Sequence, residues 1–358
     1  RHYWSKKEVS FTDVRDVPAA GLVSNVQELG AFARLLLAEG RHDGRAVLKP
    51  RTVAEMLRVQ NADVALDFDN HIGMPWHLSG VHFPQARTVA WLDNASPFAR
   101  GRILLVPEHK LAVVVLTNSS GSSDAVRKVS ERLMALALEQ RAPHSVTPIR
   151  QPIVTRPSAP PRREDIVGHY ATSFGHVWVK PGDSGYRALM LGKSFELRQE
   201  PDGTLAPAYR LLGIVPIPID VLKETRLTTT RLGGRHLAIA YYRNRAYRLG
   251  DRIQPVALSA AWRRRLGEYQ VRERDELLKL VDLRNMNLAY TDGLLYFRYR
   301  VPGWLGLIAN VPVRPVSENE LVVEGTGWLM GETVHVVQRD GKDTLHYSGY
   351  EFQRVASP

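Results

Sequence analysis

Six prolines stand between Ala142 and Pro161, at positions 143, 148, 152, 157, 160 and 161. Each one fixes φ near −65° and lacks an amide proton, so neither a helix interior nor a central strand can run through such a stretch. The segment is expected to be an extended, semi-rigid connector, with independent bodies on either side. At about 150 residues per domain, 358 residues suggest two or three bodies. The expected boundaries are 1–141 for the first domain, 142–163 for the linker, 164–256 for the second domain and 257–358 for the third.

The first body is organised around Arg102–Asn118. Two apolar runs, Ile103–Val106 and Leu111–Thr117, flank the polar turn Pro107-Glu108-His109-Lys110. The turn is short enough for an antiparallel hairpin, and the unbroken β-branched second run suits a strand covered on both faces. Ser123 is expected to cap a helix over Asp124–Gln140, with Val126, Val129, Leu133 and Leu136 on its buried side. Earlier in the chain, Ser24 with Gln27 three positions on reads as a capping box for a helix through Ala38. Val26, Leu29, Ala33 and Leu36 mark its core face. Pro50 suits the first position of a second helix, whose Val53, Met56 and Leu57 face inward. Gly73–Leu78 and Thr88–Leu92 read as strands, and Arg1–Asp16 as an entering loop.

Beyond the linker, two stretches of similar length open and close alike. Ile166-Val-Gly-His-Tyr170 is answered by Arg265-Leu-Gly-Glu-Tyr269. The first closes on Tyr247-Arg-Leu-Gly-Asp-Arg-Ile and the second on Tyr350-Glu-Phe-Gln-Arg-Val. Between them lie short alternating runs such as Leu237–Tyr242, Leu294–Tyr299, Leu321–Val323 and Thr333–Gln338. Many short strands at regular spacing predict two antiparallel β-barrels. Trp178, Trp262, Trp304 and Trp328 read as core plugs, and a barrel mouth is a place for an apolar ligand. The expected fold class is α+β: half of an α/β domain, then two antiparallel β-barrels.

Composition narrows the function classes. No apolar run reaches the ~20 residues that span a bilayer. With no cysteine there is no disulfide and no thiolate metal site. Twelve histidines are present, but none forms His-x-x-x-His or His-Glu-x-x-His, so neither a metal nor another cofactor is expected. The net charge of +11 is concentrated after residue 140: residues 165–255 carry 13 Lys/Arg against 8 Asp/Glu. Such charge attracts anionic partners, yet no nucleic-acid recognition motif accompanies it.

Taken in order, Pro18-Ala-Ala-Gly-Leu-Val-Ser24, Gly44–Leu57, Gly73-Met-Pro-Trp76 and the hairpin ending in Leu-Thr-Asn118 resemble the C-terminal half of the serine hydrolases related to class C β-lactamases, D-aminopeptidases and penicillin-binding proteins. The resemblance covers Asp16–Glu139. D-aminopeptidases of that family have a comparable three-part plan, which would make the two later bodies lipocalin-like barrels. The resemblance implies hydrolysis of amide or ester bonds, with D-amino-acid peptides among the candidate substrates, in a bacterial periplasm or outside the cell; a cytoplasmic setting stays open.

That chemistry needs Ser-x-x-Lys at a helix start, Tyr-x-Asn or a variant on a loop, and a Lys-Thr-Gly or His-x-Gly strand facing the nucleophile. No serine here has lysine three residues on, so no catalytic residue is assigned. The resemblance places the nucleophile in an N-terminal half of the domain, the expected partner of this chain. Tyr242-Arg-Asn244 and His42-Asp-Gly44 match in letters but stand in the wrong places. The third motif falls on Trp91, Leu92, Asp93, Asn94 and Ser96. Trp91 or Leu92 stands where a cation is needed, and Asp93 or Asn94 where the family has glycine. Asp93, Asn94 and Ser96 could still form a polar rim to a groove. Two readings therefore stand: a hydrolase portion completed by another segment, or a non-catalytic binding or regulatory protein that holds a small molecule or peptide on a degenerate scaffold.

Overall fold

The computed structural model describes residues 2–4, 7–9, 21–96, 99–141, 161–183, 185–211, 215–216, 224–242, 245–272, 285–300, 308–325, 330–339 and 341–355. The chain divides into two compact units, Arg1–Ile153 and Val154–Pro358. It is α+β, as the element order and sheets require.

The first unit opens with a small hairpin, β1 (His2–Trp4) and β2 (Lys7–Val9), where the sequence suggested only a loop. Helix α1 (Val26–Leu37) follows. Its cap is Asn25, not Ser24: the Asn25 side chain accepts from the amides of Gln27 and Glu28, while the Ser24 hydroxyl reaches the Glu28 carboxylate at 2.9 Å. Asparagine caps as well as serine does, and the one-residue shift puts Val26 at the exposed first turn. After the two-residue strands β3 (Arg41–His42) and β4 (Arg45–Ala46), helix α2 (Pro50–Met56) starts on its proline, as expected.

The sheet of this unit is β5 (Ala90–Ala95), β6 (Arg100–Val106) and β7 (Leu111–Thr117), in that order and antiparallel. The β6–β7 hairpin is the one the two apolar runs predict. Gly73–Leu78 does not form a strand; it contributes only isolated bridges from Ile72 to His77 and from His77 to Trp91. The run read as Thr88–Leu92 begins instead at Ala90 and extends to Ala95.

Strand alternation divides the sheet between two cores. Ala90, Ile103 and Leu105 pack with Ala33 and Leu36 of α1. Leu104 and Val106 pack with Met134 and Leu138 of α3 (Ser123–Arg141). The buried line of α3 is Val126, Ser130, Met134 and Leu138, spaced by four. Of the four residues expected there, only Val126 is buried. Val129, Leu133 and Leu136 form a second apolar stripe and stay 47, 47 and 40 % exposed. The helix carries two apolar lines, and the sheet takes the one that sequence spacing did not favour.

In the second unit, α4 (Arg163–Ile166) leads into β8 (Gly168–Thr172), β9 (Gly175–Gly182), β10 (Gly185–Met190), β11 (Lys193–Gln199), β12 (Leu205–Leu211), β13 (Val215–Pro216), β14 (Thr225–Leu232), β15 (Arg235–Tyr242) and β16 (Arg245–Ile253). Eight of these close into an antiparallel ring through the β11–β12 and β8–β16 pairings, with β13 appended to β12. A second closed barrel follows α5 (Ala260–Arg264): β17 (Gly267–Val271), β18 (Asn285–Thr291), β19 (Leu294–Arg300), β20 (Ile308–Ser317), β21 (Glu320–Val323), β22 (Thr333–Arg339), β23 (Lys342–Tyr347) and β24 (Tyr350–Arg354). Several hairpins turn on two residues with positive φ, such as Gly233-Gly234, Asp292-Gly293 and Ser348-Gly349. That geometry matches the twist of the flanking strands.

Both barrels are filled by side chains. Tyr170, Val179, Ala188, Leu197 and Leu205 pack in the first. Trp262, Tyr269, Leu288, Phe297, Val313, Leu321 and Phe352 pack in the second. Trp262 is the plug expected of it. Trp178 is not: it lies outside the first barrel, stacked on His169. Trp304 and Trp328 lie outside the described residues.

The matching openings and endings in the sequence become one clasp, built twice. Tyr170 donates its hydroxyl to the carbonyls of Asp165 and Ile166, and Tyr269 donates to Arg265. Arg252 of the closing strand donates to the carbonyls of Glu164 and Val167; Arg354 donates to those of Arg264 and Leu266. The guanidinium in each case lies against a glycine with positive φ, Gly168 (+150°) or Gly267 (+134°). A Cβ on Gly168 would sit 2.8 Å from Arg252 Nε, against 3.5 Å for the Gly267–Arg354 pair. Gly168→Ala should therefore destabilise its barrel by about 1–3 kcal/mol through overpacking and backbone strain. Gly267→Ala should cost less. Urea unfolding followed by circular dichroism gives the order, and the reverse order would refute the clasp.

Candidate functional site

Of the residues assigned to the third motif, Trp91, Leu92, Asp93 and Asn94 lie on β5, whose register with β6 pairs Trp91 with Leu104, Leu92 with Ile103, Asp93 with Arg102 and Asn94 with Gly101. Alternation sends Trp91 and Asp93 toward the α3 side, and Leu92 and Asn94 toward the α1 side. One edge of β5 is satisfied by β6. Among the described residues, the other edge bonds only at Trp91, whose amide and carbonyl exchange hydrogen bonds with His77.

On the α3 side the side chains form a closed electrostatic group. Arg102 is 5 % exposed and grips Asp93 with two bonds, Nε to Oδ1 at 2.5 Å and Nη2 to Oδ2 at 2.8 Å. Its Nη1 donates to Glu131 of α3 at 3.1 Å, and Arg127 holds the other oxygen of Glu131 at 3.3 Å. Burial alone would lower the Arg102 pKa, but the hydrogen bonds and charges of Asp93 and Glu131 outweigh it and raise it. The guanidinium also lies 4.7 Å over the Trp91 ring, and His77 stacks on that ring at 4.4 Å. Trp91 Nε1 donates to the Ser79 carbonyl at 2.6 Å. Burial holds the His77 imidazole below the usual histidine range, with Asp93 opposing and Arg102 reinforcing the shift.

Leu92 packs into the core beside α1, Asn94 is exposed, and Ser96 accepts the amide of Ala99 through its hydroxyl at 2.9 Å. The structure therefore brings Trp91 and Asp93 together, places Leu92 and Asn94 on the other face, and uses Ser96 in the turn after the strand. Sequence reading missed Arg102 and His77. An arginine opening an otherwise apolar run was the available signal for the first; nothing in the sequence marked the second.

This strand presents no cation to its α1 face. It does offer the Asn94 amide and an open backbone edge, the features by which an extended peptide is added to a sheet. His42 ends β3 and Gly44 lies in the exposed turn that leads to β4, Tyr242 ends β15, and Arg243 and Asn244 are outside the described residues. No group of three metal-ligating side chains occurs among the described residues.

A polar cavity of about 360 Å³ opens in the second unit, lined by Arg231, Arg235, His236, Asp251, Arg252 and Glu324, among others. All three arginines are engaged: Arg231 with Asp165, Arg235 with Asp251, and Arg252 with backbone carbonyls. The cavity is a product of the clasp and its neighbouring ion pairs.

No protein-family model matches this chain, and no curated protein matches it. Ten solved chains do. The structure of SurE matches with a TM-score of 0.41 and 18 % identity, over 63 % of this chain and 48 % of that one. An octameric penicillin-binding protein homologue from Pyrococcus abyssi matches with a TM-score of 0.27 and 17 % identity, over 63 % of this chain and 45 % of that one. The chain spans about half the length of these proteins. Similarity at that level carries no inference about chemistry.

Proposed function

We propose that the first unit is the C-terminal part of a serine hydrolase domain of the class C β-lactamase, D-aminopeptidase and penicillin-binding-protein type, with a nucleophile supplied by another segment. The substrates on this reading are amides or esters, D-amino-acid peptides among them. The observation that carries it is the second apolar stripe of α3. Val129, Leu133 and Leu136 are spaced to receive a further layer, and a sheet of three strands with an edge strand as apolar as β7 invites one. The ordered motifs from Pro18 to Asn118 support the family reading. A second reading, a binding or regulatory protein without catalysis, is favoured by one specific feature: Leu92 packs half-buried against the core and Asp93 is neutralised by Arg102, where the family needs a cation and a glycine.

The two readings separate on labelling. The chain alone should leave nitrocefin, p-nitrophenyl esters and D-alanyl peptides intact and should take up no fluorophosphonate probe. Stoichiometric labelling of any of its serines would overturn both readings. A chain extended upstream of Arg1 should label and turn over substrate if the hydrolase reading holds. If the extended chain folds yet does neither, while still binding peptide along β5, the second reading replaces the first.

A further inference from the structure

Two features of the first unit lie side by side. The first is the outer edge of β7. Among the described residues β7 pairs with β6 alone, in unbroken register from Leu111 to Thr117. Its sequence, Leu-Ala-Val-Val-Val-Leu-Thr, holds no charge and no proline, and no bulge interrupts it. Charges, prolines and bulges are what keep an edge strand from pairing, and this strand has none. The second feature is the exposed stripe of Val129, Leu133 and Leu136 on α3. Helix geometry sets the stripe beside that edge. At 3.6 residues per turn, Glu131 stands roughly 80° to one side of the sheet-facing line Val126, Ser130, Met134 and Leu138, and the stripe roughly 110° to the other. Glu131 reaches Arg102 of β6, which is bound in turn to Asp93 of β5. The Glu131 side of α3 therefore looks toward β5, and the stripe looks the opposite way, past β7.

We propose that β7 and the α3 stripe form the contact between two copies of this chain, related by a two-fold axis perpendicular to the sheet. Antiparallel pairing of β7 with its copy joins two three-stranded sheets into one of six. Centred on Val114, it sets Val113 opposite Val115 and Ala112 opposite Leu116, so every such pair is apolar. The same axis keeps both α3 helices on one face of the joined sheet and runs them antiparallel. Leu133 then stands near the axis, and Val129 of one copy faces Leu136 of the other. The spacing fits. Met134 and Leu138 pack with Leu104 and Val106 of β6 and with Leu111 and Val113 of β7, so α3 lies over the line between those strands. With strands ~4.8 Å apart, the two α3 axes come to lie about 9.6 Å from each other. Packed helices stand about 8–10 Å apart.

A two-fold contact needs a surface that complements itself. An uncharged strand edge and an apolar line beside it meet that condition in each copy. The charges next to the stripe, Arg132 and Glu139, are opposite in sign and lie 4.0 Å apart within one helix, so symmetry sets no like charges against each other. The contact occupies the face that the hydrolase reading gives to a further segment, and it rests on that reading only in this: the face is open in the chain as it stands. An arriving strand and a second copy compete for β7, so the dimer belongs to the chain without that segment.

Sedimentation equilibrium of the full chain at micromolar concentration should give twice the chain mass. Leu133→Glu and Leu116→Lys alter exposed side chains. Each should raise the dissociation constant roughly 30-fold, the effect of losing a central apolar contact, with the circular dichroism unchanged. Phe174→Glu, at an exposed apolar side chain of the second unit, should leave the dimer intact. The chain has no cysteine, so Leu133→Cys gives a geometric readout: oxidation should join two chains through one disulfide. A monomer at every concentration, a dimer indifferent to both variants of this face, a dimer broken by Phe174→Glu, or a Leu133→Cys dimer that stays unlinked would each overturn the proposal. A chain extended upstream that labels with fluorophosphonate and is monomeric supports both the dimer face and the hydrolase reading. An extended chain that stays unlabelled and still links through Leu133→Cys counts against the hydrolase reading and for the dimer.

Discussion

Replacing Arg102 by methionine should cost the first unit about 2–3 kcal/mol. The methionine fills the volume of the side-chain stem but leaves Asp93 and Glu131 facing each other without their shared cation. Removing one member of a buried pair costs about 3–5 kcal/mol. Asp93 is 44 % exposed and can rehydrate, which sets the expectation below that range. Trp91 would also lose the cation over its ring, and β5 would lose the ion-pair tie to α3 that runs from Asp93 through Arg102 to Glu131. The triple variant Arg102→Met, Asp93→Asn, Glu131→Gln should recover part of the loss, because it leaves no orphaned charge. Urea unfolding of the three proteins decides the matter. An Arg102→Met variant within about 0.5 kcal/mol of the parent would mean that the guanidinium does not organise this face.

Trp262→Ala should be costlier still, about 4 kcal/mol, in the range for emptying a buried aromatic site. The indole is 1 % exposed, sits in the core of the second barrel and donates to the Ser317 carbonyl at 2.8 Å. The substitution opens a cavity and leaves that carbonyl without its donor. Trp178→Ala is the internal comparison: it removes an equally large ring from the outside of the first barrel and should cost about 1 kcal/mol, the scale of stacking beyond area burial. If Trp178→Ala proved the more damaging, the assignment of the two indoles to outer face and core would be inverted.

The contrast between these two tryptophans shows where sequence reading stops. Composition made both large and apolar, but only register tells which side of a strand faces a barrel interior. A shift of one residue exchanges the two faces. The β6–β7 hairpin was legible because both runs are apolar and the turn between them is short. The paired barrels were legible because Gly, Tyr and Arg return at matching places. The outward stripe of α3 was not, since Val129, Leu133 and Leu136 have the same periodicity as a core line. Nor was Asn25, which caps as well as its neighbour Ser24. Of the candidate site, the position of Asp93 was readable, but its partner Arg102 could be found only once β5 and β6 lay side by side.

The duplicated clasp bears on how the chain folds. Two modules that close on the same tyrosine, glycine and arginine invite exchange, in which the final hairpin of one is captured by the opening of the other, a known failure of repeated domains. The residues beside the clasp are not duplicated. Four positions before the tyrosine stands Ile166 in the first module and Arg265 in the second. The second residue after the matching hairpin turn is His236 in one and Asp343 in the other, where Arg265 Nε meets Asp343 at 2.6 Å and Arg252 meets His236 at 3.3 Å. A crossed pairing would press Arg265 toward an imidazole already facing an arginine, and strand Asp343 against isoleucine. The clasp is common to both modules, but the charge partner beside it differs, and that difference disfavours exchange between them.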